Sequence, residues 1–184
     1  MKPIAILAAA LAMGACANST SSFGETIHST DIYLKYSFQD ASIFAGAGGA
    51  IEVYGAPQDG ASAEAVADAI RLPTYLSPSS AKEVEPGLDG HRIAIVFAPK
   101  SDLSGESVCK GKAKGNQARS HTKVLAVFCR GETATLSESR LETSNAFVPG
   151  QQGFRIGMNR LLREILPLRS PFFQGGRGCR RGGC

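Results

Sequence analysis

A chain of 184 residues has room for one domain with a real core and not for several. Its formal net charge of +4 hides a segregation: Lys110, Lys112, Lys114, Arg119 and Lys123 fall in an acid-free stretch opened by Cys109, and Arg169, Arg177, Arg180 and Arg181 fall in another from Pro167 to Cys184. With these and Lys2 set aside the remainder carries −6, so an acidic body bears a basic loop and a basic tail, a pattern that attracts polyanions locally.

Met1-Lys2 gives a short basic start, and Ile4 to Ala12 is an uncharged apolar run. That run is far short of the about 20 residues that span a bilayer. A short apolar core followed by small residues reads as a secretory signal, absent from the mature protein. Met13-Gly14-Ala15-Cys16, which closes it, resembles the lipobox of bacterial lipoproteins, with Met in place of the usual Leu. The resemblance implies cleavage before Cys16, diacylglycerol on its thiol and acylation of the new N-terminus. Two or three acyl chains hold a protein at a membrane almost permanently, where one does not. Ala17 stands where Asp resembles an inner-membrane retention signal in enteric bacteria, which implies an outer-membrane anchor facing the periplasm. Residues 16–30, rich in Ser, Thr and Asn, then read as a flexible tether reaching roughly 50 Å when extended.

The domain is expected from Asp31 to Pro167. Ile32 to Phe38 alternates Ile, Leu, Tyr and Phe with Tyr, Lys and Ser, the pattern of a half-buried strand. Gly46 to Gly49 marks a turn, and Ala50 to Tyr54 is a second strand, expected to pair with the first as a hairpin. Ser62 is placed to cap a helix with Glu64 in its first turn, Arg71 in its last, and Val66, Ala69 and Ile70 as its buried stripe. Residues 73–90, with three prolines, read as a surface loop. Arg92 to Ala98 and Lys123 to Cys129 are continuous apolar runs, expected as strands covered on both faces. Thr133 to Arg140 reads as a strand near an edge.

The last element carries the clearest period. Phe154, Met158, Leu161, Leu162, Ile165 and Leu166 fall on one helical face, Arg155, Arg160, Arg163 and Glu164 on the other, and Pro167 ends the helix. Packing on the upstream sheet is expected over lying on lipid. The sequence thus predicts an α+β domain: a mostly antiparallel sheet of about five strands with two helices on one face. Residues 168–184 read as a disordered Gly/Arg/Cys tail.

With Cys16 acylated, Cys109, Cys129, Cys179 and Cys184 remain, an even number for an oxidising compartment. Cys109–Cys129 is the expected disulfide, pinning a Gly- and Lys-rich loop that has no core of its own and gathering its five cations, Lys110, Lys112, Lys114, Arg119 and Lys123, into one anion-binding patch. No Cys-x-x-Cys occurs, which removes thioredoxin-like chemistry.

Other chemistry is thin. Ser79-Ser80-Ala81-Lys82 resembles the Ser-x-x-Lys of penicillin-binding proteins, but sits between prolines without a following Lys-Thr-Gly. Leu136 to Arg140 resembles the Leu-Ser-x-x-Arg core of the peptidoglycan-binding domain of outer-membrane protein A, without its upstream Asp. His28, His91 and His121 stand apart and read as surface residues. The overall layout is similar to uncharacterised alphaproteobacterial lipoproteins, in the Tyr54 to Pro57 turn and the cysteines flanking a Gly/Lys loop, and implies no activity. The expectation is a lipid-anchored accessory of binding or assembly type, without catalytic residues, metal or cofactor. Its partners are the membrane, through Cys16, and an anionic envelope polymer or another envelope protein, not nucleic acid. A cell-wall hydrolase or transferase and a purely structural lipoprotein are the alternatives.

Overall fold

The computed structural model describes residues 24–87, 89–119, 122–132 and 134–169. The lipobox, Cys16, residues 16–23 of the expected tether, His121, and the tail with Cys179 and Cys184 lie outside the described residues.

The two apolar runs form the middle of the sheet. Strand β4 (His91–Phe97) and strand β5 (Thr122–Arg130) pair antiparallel, with Ile93 opposite Phe128 and Ile95 opposite Ala126. Both are buried on both faces, which is why neither alternates in sequence. Strand β6 (Ala134–Thr143) adds antiparallel to β5, and β1 (Glu25–Ile32) adds antiparallel to β6 as an outer edge. On the other side β2 (Ala50–Tyr54) runs parallel to β4, and the two-residue β3 (Lys82–Glu83) runs parallel to β2. The sheet is therefore six-stranded and mixed, in the order β1-β6-β5-β4-β2-β3.

The α+β class holds, while the strand and helix counts and the first hairpin do not. Ile32 to Phe38 is not a strand. The strand lies earlier, in residues first read as tether, and only Ile32 belongs to it. After a turn at Leu34 and Lys35 the chain enters α1 (Phe38–Gly46). Ser37 and Asp40 form its capping box: the Asp40 amide donates to Ser37 Oγ (3.3 Å) and the Ser37 amide donates to Asp40 Oδ2 (3.0 Å). Of the expected inward face, Leu34 is instead 76% exposed, while Tyr36 is buried and donates its hydroxyl to Pro167 O at 2.6 Å. With α1 between them, residues 32–38 and 50–54 do not pair as a hairpin.

Helix α2 (Ala63–Ala69) starts as the sequence predicts, with Ser62 accepting from the Ala65 amide, and Val66 and Ile70 fully buried. Arg71, just past its end, donates to the carbonyls of Asp68 and Ile70. Helix α4 (Gln152–Ile165) buries Phe154, Met158, Leu161, Leu162 and Ile165 against β1, β5 and β6. Helices α1, α2 and α4 share one core with Ile93, Ile95, Phe97, Ala126 and Phe128. A fourth helical piece, α3 (Gly105–Ser107), runs into a wider helical turn at Val108–Lys112. Among the described residues no helix is long and apolar enough to cross a membrane.

A disulfide-clamped basic segment as the candidate functional site

The second face of the sheet is covered by the segment from Leu103 to Ala118, which sequence reading left as a loop without a core. Val108, Cys109 and Ala113 are buried against Ala94, Val96, Leu125, Val127 and Cys129, with Leu103 and Tyr54 at the margin. The segment thus has a small core, made by apolar residues too irregularly spaced to show a period. Gly111 takes φ 72°, the left-handed turn that lets the chain leave the helical piece.

Two devices pin this cover. Cys109 and Cys129 are disulfide-bonded, with Cα atoms 5.5 Å apart across 20 residues of sequence. Closing a loop of that length contributes about 3 kcal/mol in the chain-entropy picture. Beside the bond, Arg92 on β4 is 2% exposed and its guanidinium reaches three parts of the chain. Nε lies 2.9 Å from Glu52 Oε1, and the terminal nitrogens donate to Gly131 O (3.1 Å) and Cys109 O (2.8 Å). Glu52, itself 1% exposed, also accepts from the Gly87 amide (2.7 Å) and the Tyr54 hydroxyl (3.1 Å). Burial and the adjacent Glu52 carboxylate push the Tyr54 phenol up to about 12. A buried charge pair survives only when its remaining donors and acceptors are met, and here β2, β4, the cover and two turns meet them.

The cover is tied to β6 as well. The Gly105 amide donates to Glu138 Oε2 (2.7 Å), and Arg140 donates to Leu103 O. Burial pushes the Glu138 carboxyl up, against the opposing pull of the Gly105 bond and the Arg140 charge.

Of the five expected anion-binding cations, Lys112 and Lys114 line one depression, and Arg119 and Lys123 line others. Lys110 pairs with Glu106 one helical turn away (2.5 Å), which holds the Glu106 carboxyl below its usual range. Lys112 and Lys114 line a depression of about 200 Å³ together with Lys100, Asp102, Leu103 and Ser107. Arg119 lines a separate one of about 760 Å³, and Lys123 a third of about 390 Å³, where it lies 3.6 Å from Glu142. Lys100 is the member that sequence reading missed. It precedes the cluster by ten residues and rejoins it because β4 and the cover are adjacent.

Comparison with known protein families, with curated proteins and with solved structures finds no match to this chain.

The remaining polar clusters bind the fold together. His91 is not a surface residue: its side chain is 13% exposed and its Nε2 lies 2.8 Å from Asp40 Oδ1, which also accepts from Arg130 (3.0 Å). Burial alone pushes the Asp40 carboxyl up, but hydrogen bonds from Ser37 and His91 and the charge of Arg130 outweigh it and hold it low. Ser37 Oγ also donates to Asp40, at 2.6 Å, so serine and histidine converge on the same carboxylate and not on each other. A nucleophilic serine needs the histidine as its base, so this is not a catalytic triad. His28 sits on the exposed face of β1, 3.0 Å from Glu142. Ser79 to Lys82 is not helical, and Leu136 to Arg140 is strand, with Ser137 donating to Ile165 O on one face and Arg140 reaching Leu103 on the other. Both motifs belong to helices in the families they resemble. Among the described residues no group of three His, Cys, Asp or Glu side chains is placed to hold a metal ion.

Proposed function

We propose that the chain is a lipid-anchored envelope protein of accessory binding type, tethered through Cys16, that presents Lys100, Lys112 and Lys114 to an anionic envelope polymer. The observation that carries this reading is that Lys112 and Lys114, on a segment pinned by a disulfide and a buried arginine, line one depression with Lys100. A flexible lysine loop loses conformational freedom when it meets a polyanion, and a segment already held in place loses less. Ammonium groups suit repeated phosphate or carboxylate charges better than one planar partner, which fits a polymer. The acidic remainder of the chain orients the encounter by repelling the same surface elsewhere.

The test is co-sedimentation of the full chain with purified lipopolysaccharide and with wall polymer at low ionic strength. Changing Lys100, Lys112 and Lys114 together to Gln is expected to weaken binding at least about tenfold, and added salt to weaken the parent protein in the same way. Unaltered binding in the triple variant would remove the reading.

A further inference from the structure

We propose a second binding site, separate from the lysine depression, at the carboxyl ends of the parallel strands β2 and β4, and that it takes an acidic saccharide unit. Strand β4 is where the sheet changes from parallel pairing with β2 to antiparallel pairing with β5. In open sheets with parallel strands, ligands bind in the crevice beyond the carboxyl ends of those strands. Here that crevice is a depression of about 760 Å³ lined by Ala98, Asn116, Gln117, Ala118 and Arg119.

Its wall is built before any ligand arrives. The chain from Gly115 to Ala118 crosses the strand ends: the Asn116 amide donates to Phe97 O (3.0 Å), the Ala56 amide to Asn116 O (3.2 Å), and the Ala118 amide to Ala56 O (2.8 Å). This crossing needs glycine on both sides. A Cβ on Gly55 would lie 2.4 Å from Asn116 O, and one on Gly115 would lie 2.2 Å from Tyr54 O. Gln58 completes the frame, with its Nε2 donating to Arg119 O (2.5 Å) and its own carbonyl accepting from Gln117 Nε2 (3.3 Å). Ala98 holds φ 43°, a left-handed conformation that a side chain rarely adopts. It is fixed there by its amide donating a hydrogen bond to Lys123 O (2.8 Å) and by Asn116 Nδ2 donating to its carbonyl. Strain of this kind persists only where the surroundings over-determine it.

The lining selects the ligand class. Arg119 offers a planar fork that matches a carboxylate in two parallel hydrogen bonds. The carboxamides of Asn116 and Gln117 each carry a donor and an acceptor, the complement of neighbouring hydroxyl or acetamido groups. The methyl groups of Ala98 and Ala118 give a small apolar floor for the C–H face of a pyranose ring. Among the described residues no lysine lines the depression, so a bare phosphate chain is served better by Lys100, Lys112 and Lys114.

The experiment follows backbone amide shifts of the full chain carrying Cys16→Ser, titrated with glucuronic acid and with N-acetylmuramic acid. N-acetylglucosamine and inorganic phosphate serve as the neutral and the sugar-free controls. Saturable shifts at Ala98, Asn116, Ala118 and Arg119 are expected with the acidic sugars only. Arg119→Gln, at an exposed position, is expected to leave the spectrum outside the site intact and to weaken that binding about tenfold. The triple Lys→Gln variant is expected to bind the sugar unchanged, so this site and the lysine depression fail separately. An equal response to the neutral sugar or to phosphate, no saturable shift at these amides, or unaltered affinity in Arg119→Gln would each overturn the proposal.

Discussion

Replacing Arg92 by Met tests how the cover is held on the second face. Met fills a comparable apolar volume along the buried stem but removes the charge and every donor. Glu52, 1% exposed, is then left as a buried carboxylate that, among the described residues, keeps the Gly87 amide and the Tyr54 hydroxyl as donors. Breaking a buried pair from one side costs about 3–5 kcal/mol, since the remaining charge keeps its desolvation penalty. The Cys109 carbonyl, buried beneath the cover, loses its donor at a further cost of about 1–3 kcal/mol. Natural domains are stable by about 5–15 kcal/mol, so the variant stands near the edge of folding. Equilibrium unfolding in urea, an uncharged denaturant, measures this without screening the pair. The double variant Glu52→Leu with Arg92→Met is expected to recover most of the loss, because an apolar replacement of both partners carries no unmet charge. A cost below about 1 kcal/mol for Arg92→Met, or a double variant no more stable than the single, would refute the reasoning.

Leu162→Ala, at a fully buried position of α4, is expected to cost about 2–5 kcal/mol in thermal or urea unfolding, and a cost near zero would mean that the helix is not packed on the sheet. Asp40→Asn is expected to destabilise the protein at neutral pH. Its folded carboxyl is held below the ordinary aspartate value of about 4, so its contribution is full above that value and is lost as pH falls through the lower folded value. The parent and Asp40→Asn should therefore converge in stability below about pH 4, and a difference that persists into strong acid would contradict the assignment. Converting Cys109 and Cys129 together to Ser is expected to cost about 3 kcal/mol and to raise amide exchange across the Leu103 to Ala118 segment, which mass-detected exchange reads directly.

The elements legible in the sequence are those whose burial follows a period. Helix α4 is a one-sided apolar stripe ended by proline, β4 and β5 are unbroken apolar runs, and Ser62 announces α2. The first strand escaped because its edge is deliberately polar: His28, Ser29, Thr30 and Asp31 fall on it, and a bulge between Ile27 and Ser29 twists it away from further pairing. Helix α1 escaped because the alternation from Ile32 to Phe38 imitates a strand, although Ser37 and Asp40 spell a capping box three residues apart. The site was legible in part. The disulfide and Lys112 with Lys114 could be picked out from one stretch of chain. Lys100, the Arg92–Glu52 pair and the separation of Arg119 could not, because each depends on which segments the sheet brings together.

Acylation of Cys16 is the measurement on which the functional reading turns, since a polyanion-binding face has its proposed partners only at the envelope. The full chain, expressed in a Gram-negative host fed labelled palmitate, is expected to carry label and to fractionate with membranes, and Cys16→Ser to lose both. Labelling that survives in Cys16→Ser, or a parent chain recovered unlabelled with Cys16 as a free thiol, would contradict the account.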